Sequence, residues 1–158
     1  MKIVSIVYND AINSITGFTT TIYVAGCPHH CKGCFSPQTW DYNSGTEYSI
    51  EDLYNIFIKS PHKNVTFLGG DPLNPLYRNE TIELIKRIKK NTNKKVYVWT
   101  GYLKEEVEHW LDLSLIDYLI EGKFILEQKD IRLSMRGSYN QRIFNKGIDI
   151  TKEIDSIK

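Results

Sequence analysis

The stretch GCPHHCKGCF, residues 26–35, contains all three cysteines of the 158-residue chain: Cys27, Cys31 and Cys34. Three thiols cannot all pair in disulfides, although Cys31 and Cys34 alone have the spacing of a redox pair. In a reducing compartment, clustered thiols serve metal binding or catalysis more often than crosslinking. Because thiolates favour zinc and iron–sulfur clusters, the C-x3-C-x2-C spacing predicts a metal centre held by these three residues.

The absence of a fourth cysteine distinguishes two kinds of metal centre. A structural zinc site is closed and four-coordinate, so its fourth ligand here must be a histidine, from among His29, His30, His62 and His109. A [4Fe–4S] cluster held by three thiolates instead leaves one iron open to a substrate or cofactor. The spacing therefore favours a catalytic cluster, with a zinc site and a non-catalytic electron-carrier module as the alternatives.

Outside this loop, apolar β-branched runs alternate with segments of helical periodicity. The predicted strands are residues 2–8, 19–25, 64–68, 95–99 and 117–120; after residue 125 the pattern weakens, with one short strand at 143–144. The predicted helices are residues 50–59, which Ser49 caps and Pro61 ends, 80–90 and 104–111. This order predicts an α/β fold with a parallel sheet.

Every unusual motif follows a predicted strand. These motifs are the cysteine loop, GGDP at 69–72, TGY at 100–102 and EGK at 121–123. The carboxyl ends of parallel strands share one edge of a sheet, and ligands bind at that edge. We therefore expect the four motifs to converge on one rim.

The length of 158 residues predicts a single domain spanning residues 1–158. With 20 basic and 19 acidic residues, the formal net charge is +1, which provides no electrostatic footprint for nucleic acid or an anionic membrane. No apolar run approaches the roughly 20 residues of a transmembrane helix, and the apolar start of the chain is too short for a signal peptide. A cytoplasmic location is therefore predicted.

The cysteine loop, placed after a strand, resembles the signature of radical S-adenosylmethionine (SAM) enzymes. Four further segments, in order, are similar to the activating enzymes of anaerobic ribonucleoside-triphosphate reductases: FLGGDPLNP, VYVWTGY, EGKF and RGSYNQR. Together with the extended loop GCPHHCKGCFSPQTW, the resemblance spans about residues 15–145. It implies a single-domain, incomplete parallel (β/α)6-type radical SAM barrel.

The resemblance also implies cofactors and partners. In radical SAM enzymes a [4Fe–4S] cluster, here implied on Cys27, Cys31 and Cys34, binds SAM at its open iron and cleaves it to a 5′-deoxyadenosyl radical. In the activating enzymes this radical removes hydrogen from a glycine of the large reductase subunit, and a low-potential donor such as flavodoxin supplies the electron. An activase of another glycyl-radical enzyme, such as a formate-lyase type, is the alternative within the superfamily.

Residue by residue, the resemblance implies a set of SAM contacts. Many family members have an aromatic residue before the third cysteine, whereas here Gly33 has that place and Phe35 follows Cys34. The implied contacts are Gly33 and Phe35 for adenine, Gly69, Gly70 and Asp71 for the methionine end, Thr100 near the ribose and Lys123 for the SAM carboxylate. The segment 136–142 is implied in SAM or partner binding. Apart from the resemblance, we expect His29 and His30 to shape the loop or to tune the cluster potential through hydrogen bonds to the cluster ligands. Without the resemblance, GGDP and EGK are ordinary turns.

Overall fold

Eight β-strands form one sheet in the computed structural model of the chain, which describes residues 1–157. In chain order they are β1 (Lys2–Asp10), β2 (Thr19–Val24), β3 (Thr46–Glu47), β4 (Asn64–Gly69), β5 (Lys95–Thr100), β6 (Tyr118–Glu121), β7 (Arg142–Asn145) and β8 (Ile148–Asp149). Across the sheet they lie in the order β3-β1-β2-β4-β5-β6-β7-β8. The strands that end in the predicted motifs, β2, β4, β5 and β6, are therefore neighbours in the centre of a single α/β domain.

Strand direction divides the sheet into a parallel centre and antiparallel edges. The strands β2, β4, β5 and β6 run parallel, whereas β1 and β3 on one side and β7 and β8 on the other pair antiparallel. The prediction of a wholly parallel sheet was therefore wrong at both edges. Connection length accounts for the pairs β1–β2 and β7–β8, because residues 11–18 and 146–147 are too few for the crossover that parallel neighbours need. The pair β6–β7 is joined by the longer segment 122–141, which contains no α-helix to form a crossover. Within residues 1–157, β3 and β8 are end strands, so the sheet does not close.

Among residues 1–157, four α-helices accompany the sheet: α1 (Ile50–Lys59), α2 (Arg78–Asn91), α3 (Lys104–Val107) and α4 (Thr151–Ser156). The predicted bounds of α1 are confirmed, and the Ser49 hydroxyl accepts the N–H of Asp52 at 3.0 Å as the predicted cap. The helix α4 lies in the part of the chain where the sequence pattern was too weak to predict one. Across residues 1–157, no helix combines the length and apolar character needed to span a bilayer.

Helix α3 is shorter than the predicted helix over 104–111. It ends at Val107, after which the chain forms turns, and the N–H of Trp110 donates to the carbonyl oxygen of Val107 at 2.9 Å. The guanidinium of Arg78 lies 3.5 Å from the centroid of the Trp110 ring, and Tyr102 packs edge-on against the same ring. Tertiary packing of Trp110 therefore replaces the last predicted helical turn.

The two faces of the central sheet have different surroundings. Ile22 on β2 and Val98 on β5 belong to the main hydrophobic core, which also contains Phe57 of α1. Side chains alternate between the faces of a strand, so the next residues, Tyr23 and Trp99, lie on the opposite face, where they line a cavity. The face of the sheet that packs against α1 is thus buried in the core, and the opposite face borders the cavity.

Candidate functional site

A cavity of about 550 Å³ lies at the carboxyl ends of the parallel strands. The loop after β2 contributes Cys27, Cys31, Cys34 and Phe35, the end of β4 contributes Gly69 and Gly70, the end of β5 contributes Thr100, and the loop after β6 contributes Lys123. The predicted convergence of the four strand-end motifs on one rim is therefore confirmed. Of the predicted site residues, Gly33 and Asp71 lie outside the lining.

All three cysteines are free thiols that line this cavity. Burial raises the pKa of the Cys27 thiol to about 11, although a hydrogen bond from the backbone N–H of His29 opposes the rise. Burial also raises the pKa of Cys31, and the positive charge of Lys123 opposes that rise. Both thiols therefore keep their protons at neutral pH in the metal-free protein, and a metal that bound them would have to displace those protons.

The donor set suits an iron–sulfur cluster. Within residues 1–157, no group of three or more His, Cys, Asp and Glu side chains is arranged to hold one metal ion. A four-iron cluster does not need such a group, because its three thiolate ligands bind three different irons. Three thiols on one cavity, with the cationic Lys123 close enough to act on Cys31, fit an anionic cluster.

Backbone hydrogen bonds anchor the start of the cysteine loop. The N–H of Gly26 donates to the carbonyl oxygen of Thr39 at 2.8 Å, and the N–H of Cys27 donates to that of Trp40 at 3.1 Å. Gly26 has φ +95°, and a Cβ at this position would lie 2.3 Å from the ring of Tyr42. Glycine is therefore required directly before Cys27.

The two glycines at the end of β4 are needed for backbone packing. A Cβ on Gly69 would lie 2.4 Å from the backbone nitrogen of Val24, and a Cβ on Gly70 would lie 2.3 Å from the carbonyl oxygen of Gly26. The N–H of Gly70 also donates to the carbonyl oxygen of Val24 at 2.9 Å. The end of β4 thus lies directly against the start of the cysteine loop. The contact of these glycines with the methionine end of SAM stays a prediction.

Asp71 is fully buried, and its carboxylate accepts hydrogen bonds from three parts of the chain. The Nε2–H of His29, in the cysteine loop, donates at 2.7 Å. The hydroxyl of Thr100 and the N–H of Gly101, at the end of β5, each donate at 2.9 Å, as does the N–H of Leu73. Asp71 therefore joins the cysteine loop to the ends of β4 and β5, and its contact with SAM stays a prediction.

His29 is a site residue whose partner the sequence did not reveal. Its side chain is 7% exposed, and its imidazole packs edge-on against Tyr102 with ring centroids 4.6 Å apart. A Cβ on Gly101 would lie 2.4 Å from Cδ2 of this imidazole. The glycine in the TGY motif was the available signal, because only glycine leaves room for the ring.

The substitution Gly101→Ala is expected to destabilise the protein by about 1–3 kcal/mol, the typical cost of overpacking. The added methyl group would overlap the imidazole of His29, which must then move away from Asp71. Urea unfolding followed by circular dichroism measures the loss. In a His29→Ala background the same substitution is expected to cost much less, since the ring is absent. Equal costs in the two backgrounds would contradict the contact.

Comparison with known proteins identifies the family. Residues 16–144 match the sequence model of the 4Fe-4S single cluster domain. The chain is 39% identical over 144 residues to the anaerobic ribonucleoside-triphosphate reductase-activating protein of Haemophilus influenzae, which covers 85% of this chain and 91% of that protein. The chain belongs to the family of anaerobic ribonucleoside-triphosphate reductase-activating proteins. The Escherichia coli K12 member is 36% identical over 142 residues, 84% of this chain and 90% of that protein. The phage T4 member is 33% identical over 133 residues, 82% and 85% of the two chains.

In this member of the reductase-activating family, Gly33 and Phe35 have different surroundings. Phe35 is 64% exposed, lines the cavity and packs against Phe124 with ring centroids 5.2 Å apart. Gly33 has φ +78°, and a Cβ there would lie 2.8 Å from Cδ1 of Leu126. Gly33 thus acts as a turn residue, while Phe35 presents an aromatic ring to the cavity. The adenine contacts of both stay predictions.

In this member of the activating-protein family, ion pairs fix the positions of the last two motifs, EGK and RGSYNQR. The buried carboxylate of Glu121 accepts Nε–H and Nη2–H of Arg142 at 3.0 and 2.8 Å, and the N–H of Lys104 at 2.7 Å. Arg136 lines the cavity, and its Nη2–H donates to Asp155 of α4 at 2.6 Å. The segment 136–142 is therefore pinned at both ends, with Arg136 beside the cavity. Its implied role in SAM or partner binding stays a prediction.

Proposed function

We propose that this protein is a radical SAM enzyme that installs a glycyl radical on an anaerobic ribonucleoside-triphosphate reductase. One observation carries the proposal: three free thiols of a C-x3-C-x2-C loop line a cavity at the carboxyl ends of four parallel strands. Relatives that share 33–39% of their residues with the chain are named activating proteins of that reductase, which supports the choice of partner.

The chain's own residues would hold and orient the cofactors. Cys27, Cys31 and Cys34 would bind a [4Fe–4S] cluster through their thiolates. When bound, the cluster supplies a low-potential electron that splits SAM into methionine and a 5′-deoxyadenosyl radical, which takes a hydrogen atom from a glycine of the reductase. Lys123 would pair with the SAM carboxylate as a point charge, and the ring of Phe35 would offer a stacking surface for adenine. The cavity volume of about 550 Å³ is within the usual range for small-molecule sites.

The proposed architecture is an incomplete radical SAM barrel. Helices α1 and α2 pack on one face of the central strands, and the cavity lies on the other, which is the arrangement of a barrel wall. The sheet formed by residues 1–157 ends at β3 and β8 without closing. An open sheet leaves a lateral route by which a polypeptide loop can reach the cavity, and a glycine in such a loop is the substrate that the reaction requires.

The proposed partners are the large subunit of the reductase and a low-potential electron donor such as flavodoxin. The formal net charge of +1 suits docking to proteins through shape and local contacts. The electron donor must deliver one electron for each SAM that is cleaved, because the sulfonium is reduced by a single electron.

Electron paramagnetic resonance (EPR) of the anaerobically reconstituted, reduced protein tests the cofactor assignment. We expect a [4Fe–4S]⁺ signal whose g values shift when SAM is added, because SAM would bind the iron that no cysteine holds. A cluster signal indifferent to SAM would make the protein an electron carrier instead. Bound zinc without iron would make the cysteine loop a structural site.

Addition of the reductase tests the partner. With SAM and a reductant, we expect an organic radical signal on the reductase, and none on a reductase variant that has alanine in place of the radical-bearing glycine. A formate-lyase-type glycyl-radical enzyme is the matched control, since it offers the same chemistry on another protein. A radical on the formate-lyase-type enzyme and none on the reductase would show that the alternative partner is the substrate.

A further inference from the structure

The two most exposed large apolar side chains among residues 1–157 both line the cavity that the three cysteines line. Ile131 is 85% exposed and Ile12 is 82% exposed, and each contributes to the cavity lining. A side chain that lines a cavity and also faces solvent lies at the cavity mouth. Single exposed apolar side chains are ordinary on a protein surface, but these two border one opening, where contact with a partner is expected.

The two isoleucines reach the mouth from opposite ends of the parallel centre of the sheet. Residues 11–18, which contain Ile12, connect β1 to β2, the first of the four parallel strands in the sheet order. Residues 122–141, which contain Ile131, follow β6, the last of these strands. Ile12 therefore borders the mouth on the β2 side, and Ile131 borders it on the β6 side.

Hydrogen bonds to a neighbouring aspartate order the backbone at both positions. The N–H of Ile12 donates to Oδ1 of the buried Asp10 at 2.8 Å. Asp130 directly precedes Ile131, and its carboxylate accepts the phenolic O–H of Tyr139 at 2.6 Å. Both exposed side chains are thus presented on backbone that is already fixed. Little conformational entropy is lost when a partner covers such a surface, which favours binding.

We infer that Ile12 and Ile131 are the docking surface for the segment of the reductase that contains the substrate glycine, and that apolar side chains flank this glycine. The inference rests on the proposed function, because it needs a polypeptide substrate. Hydrogen transfer requires the reacting atoms to lie about 3–3.5 Å apart. The glycine must therefore enter the cavity, and the chain on either side of it must cross the mouth. Apolar side chains at the crossing would cover the two isoleucines and remove them from water.

A second copy of this chain is the alternative occupant of the same surface. A copy seated across Ile12 and Ile131 would cover the mouth of the cavity. It would then block the route by which the glycine has to enter. The proposed reaction therefore favours the reductase as the partner that covers these side chains.

The double substitution Ile12→Ser and Ile131→Ser tests the inference. In glycyl-radical formation, the KM for the reductase is expected to rise about tenfold or more, which corresponds to about 1.4 kcal/mol of lost binding. The kcat at saturating reductase is expected to change much less, because the substitutions remove contacts at the mouth. EPR of the radical at a series of reductase concentrations measures both constants, and iron and sulfide content per chain shows that the variant still assembles its cluster.

The matched control is the double substitution Ile148→Ser and Ile157→Ser. These isoleucines are 69% and 73% exposed and lie outside the cavity lining. The control loses the same amount of exposed apolar side chain from another part of the surface. Its KM for the reductase is expected to equal that of the wild type.

Photo-crosslinking gives a second measurement that does not depend on the reaction rate. With Ile12→p-benzoylphenylalanine or Ile131→p-benzoylphenylalanine, we expect cross-links to the reductase segment around the glycine, identified by mass spectrometry, and none there from position 148. Absence of cross-links to that segment, cross-links between two copies of this chain, or a double-variant KM equal to that of the control would overturn the inference and leave the proposed function intact. A wild type that forms no cluster, or no radical on the reductase, would instead refute the proposed function.

Discussion

Replacing any one of Cys27, Cys31 and Cys34 with alanine is expected to abolish the iron–sulfur cluster and to lower SAM cleavage by more than about 100-fold. Changes to residues that only support metal ligands typically cost 10–100-fold, and each of these substitutions would remove a direct bond to iron. The chain contains no other cysteine, so no thiol can substitute. Iron and acid-labile sulfide per chain, and the rate of 5′-deoxyadenosine formation, measure the two losses.

Lys32→Ala is the matched control for the cysteine variants. Lys32 is exposed and lies between Cys31 and Cys34, so the substitution changes the same loop without removing a thiol. Its iron and sulfide content is expected to equal that of the wild type. A cysteine variant that retained the full cluster and SAM cleavage would show that this cysteine is not a ligand, and the three-thiolate site would have to be abandoned.

The substitution Asp71→Ala is expected to destabilise the protein by about 3–5 kcal/mol. Its carboxylate is fully buried and accepts hydrogen bonds from His29, Thr100, Gly101 and Leu73. Deleting it leaves these donors unpaired, and each buried donor without a partner costs about 1–3 kcal/mol before relaxation and water entry reduce the sum. Urea unfolding of the metal-free protein, followed by circular dichroism, measures the loss independently of cofactor binding.

Asp112→Ala is the matched control, because Asp112 is an exposed aspartate that accepts only a local N–H, that of Ser114, at 2.9 Å. Its urea midpoint is expected to change far less. The His29→Ala variant separates the interactions further, since in that background Asp71→Ala should cost less by the energy of the lost contact. If Asp71→Ala unfolded at the same urea concentration as the wild type, the hydrogen bonds of the Asp71 carboxylate would not stabilise the packing of the cysteine loop against the strand ends.

Local signals in the sequence were sufficient where the structure depends on neighbouring residues. The bounds of α1 were predicted correctly, because the Ser49 cap at its start and Pro61 beyond its end act within one helical turn. The five main strands were also located, each with an observed strand that overlaps it. The helix over 104–111 was predicted too long, because Trp110 packs against Arg78, 32 positions away in the printed sequence.

Strand direction was the part of the fold that the pattern did not reveal. Apolar alternation identifies a strand but carries no information on which neighbour it pairs with or in which direction. The strand β1 pairs antiparallel with β2, and β7 pairs antiparallel with β6. The chain reaches β7 only after residues 122–141 have passed back along the cavity. That return also places Arg136 on the cavity lining.

By itself, the sequence determined the kind of chemistry and the side of the sheet where it occurs. Three cysteines at C-x3-C-x2-C spacing predict a thiolate site. The helical segments between the central strands predict parallel pairing, which brings the motifs that follow those strands to one edge of the sheet. Only the tertiary structure decided what Asp71 contacts. His29 and Asp71 are 42 residues apart, and their hydrogen bond exists only once the loop after β2 packs against the ends of β4 and β5.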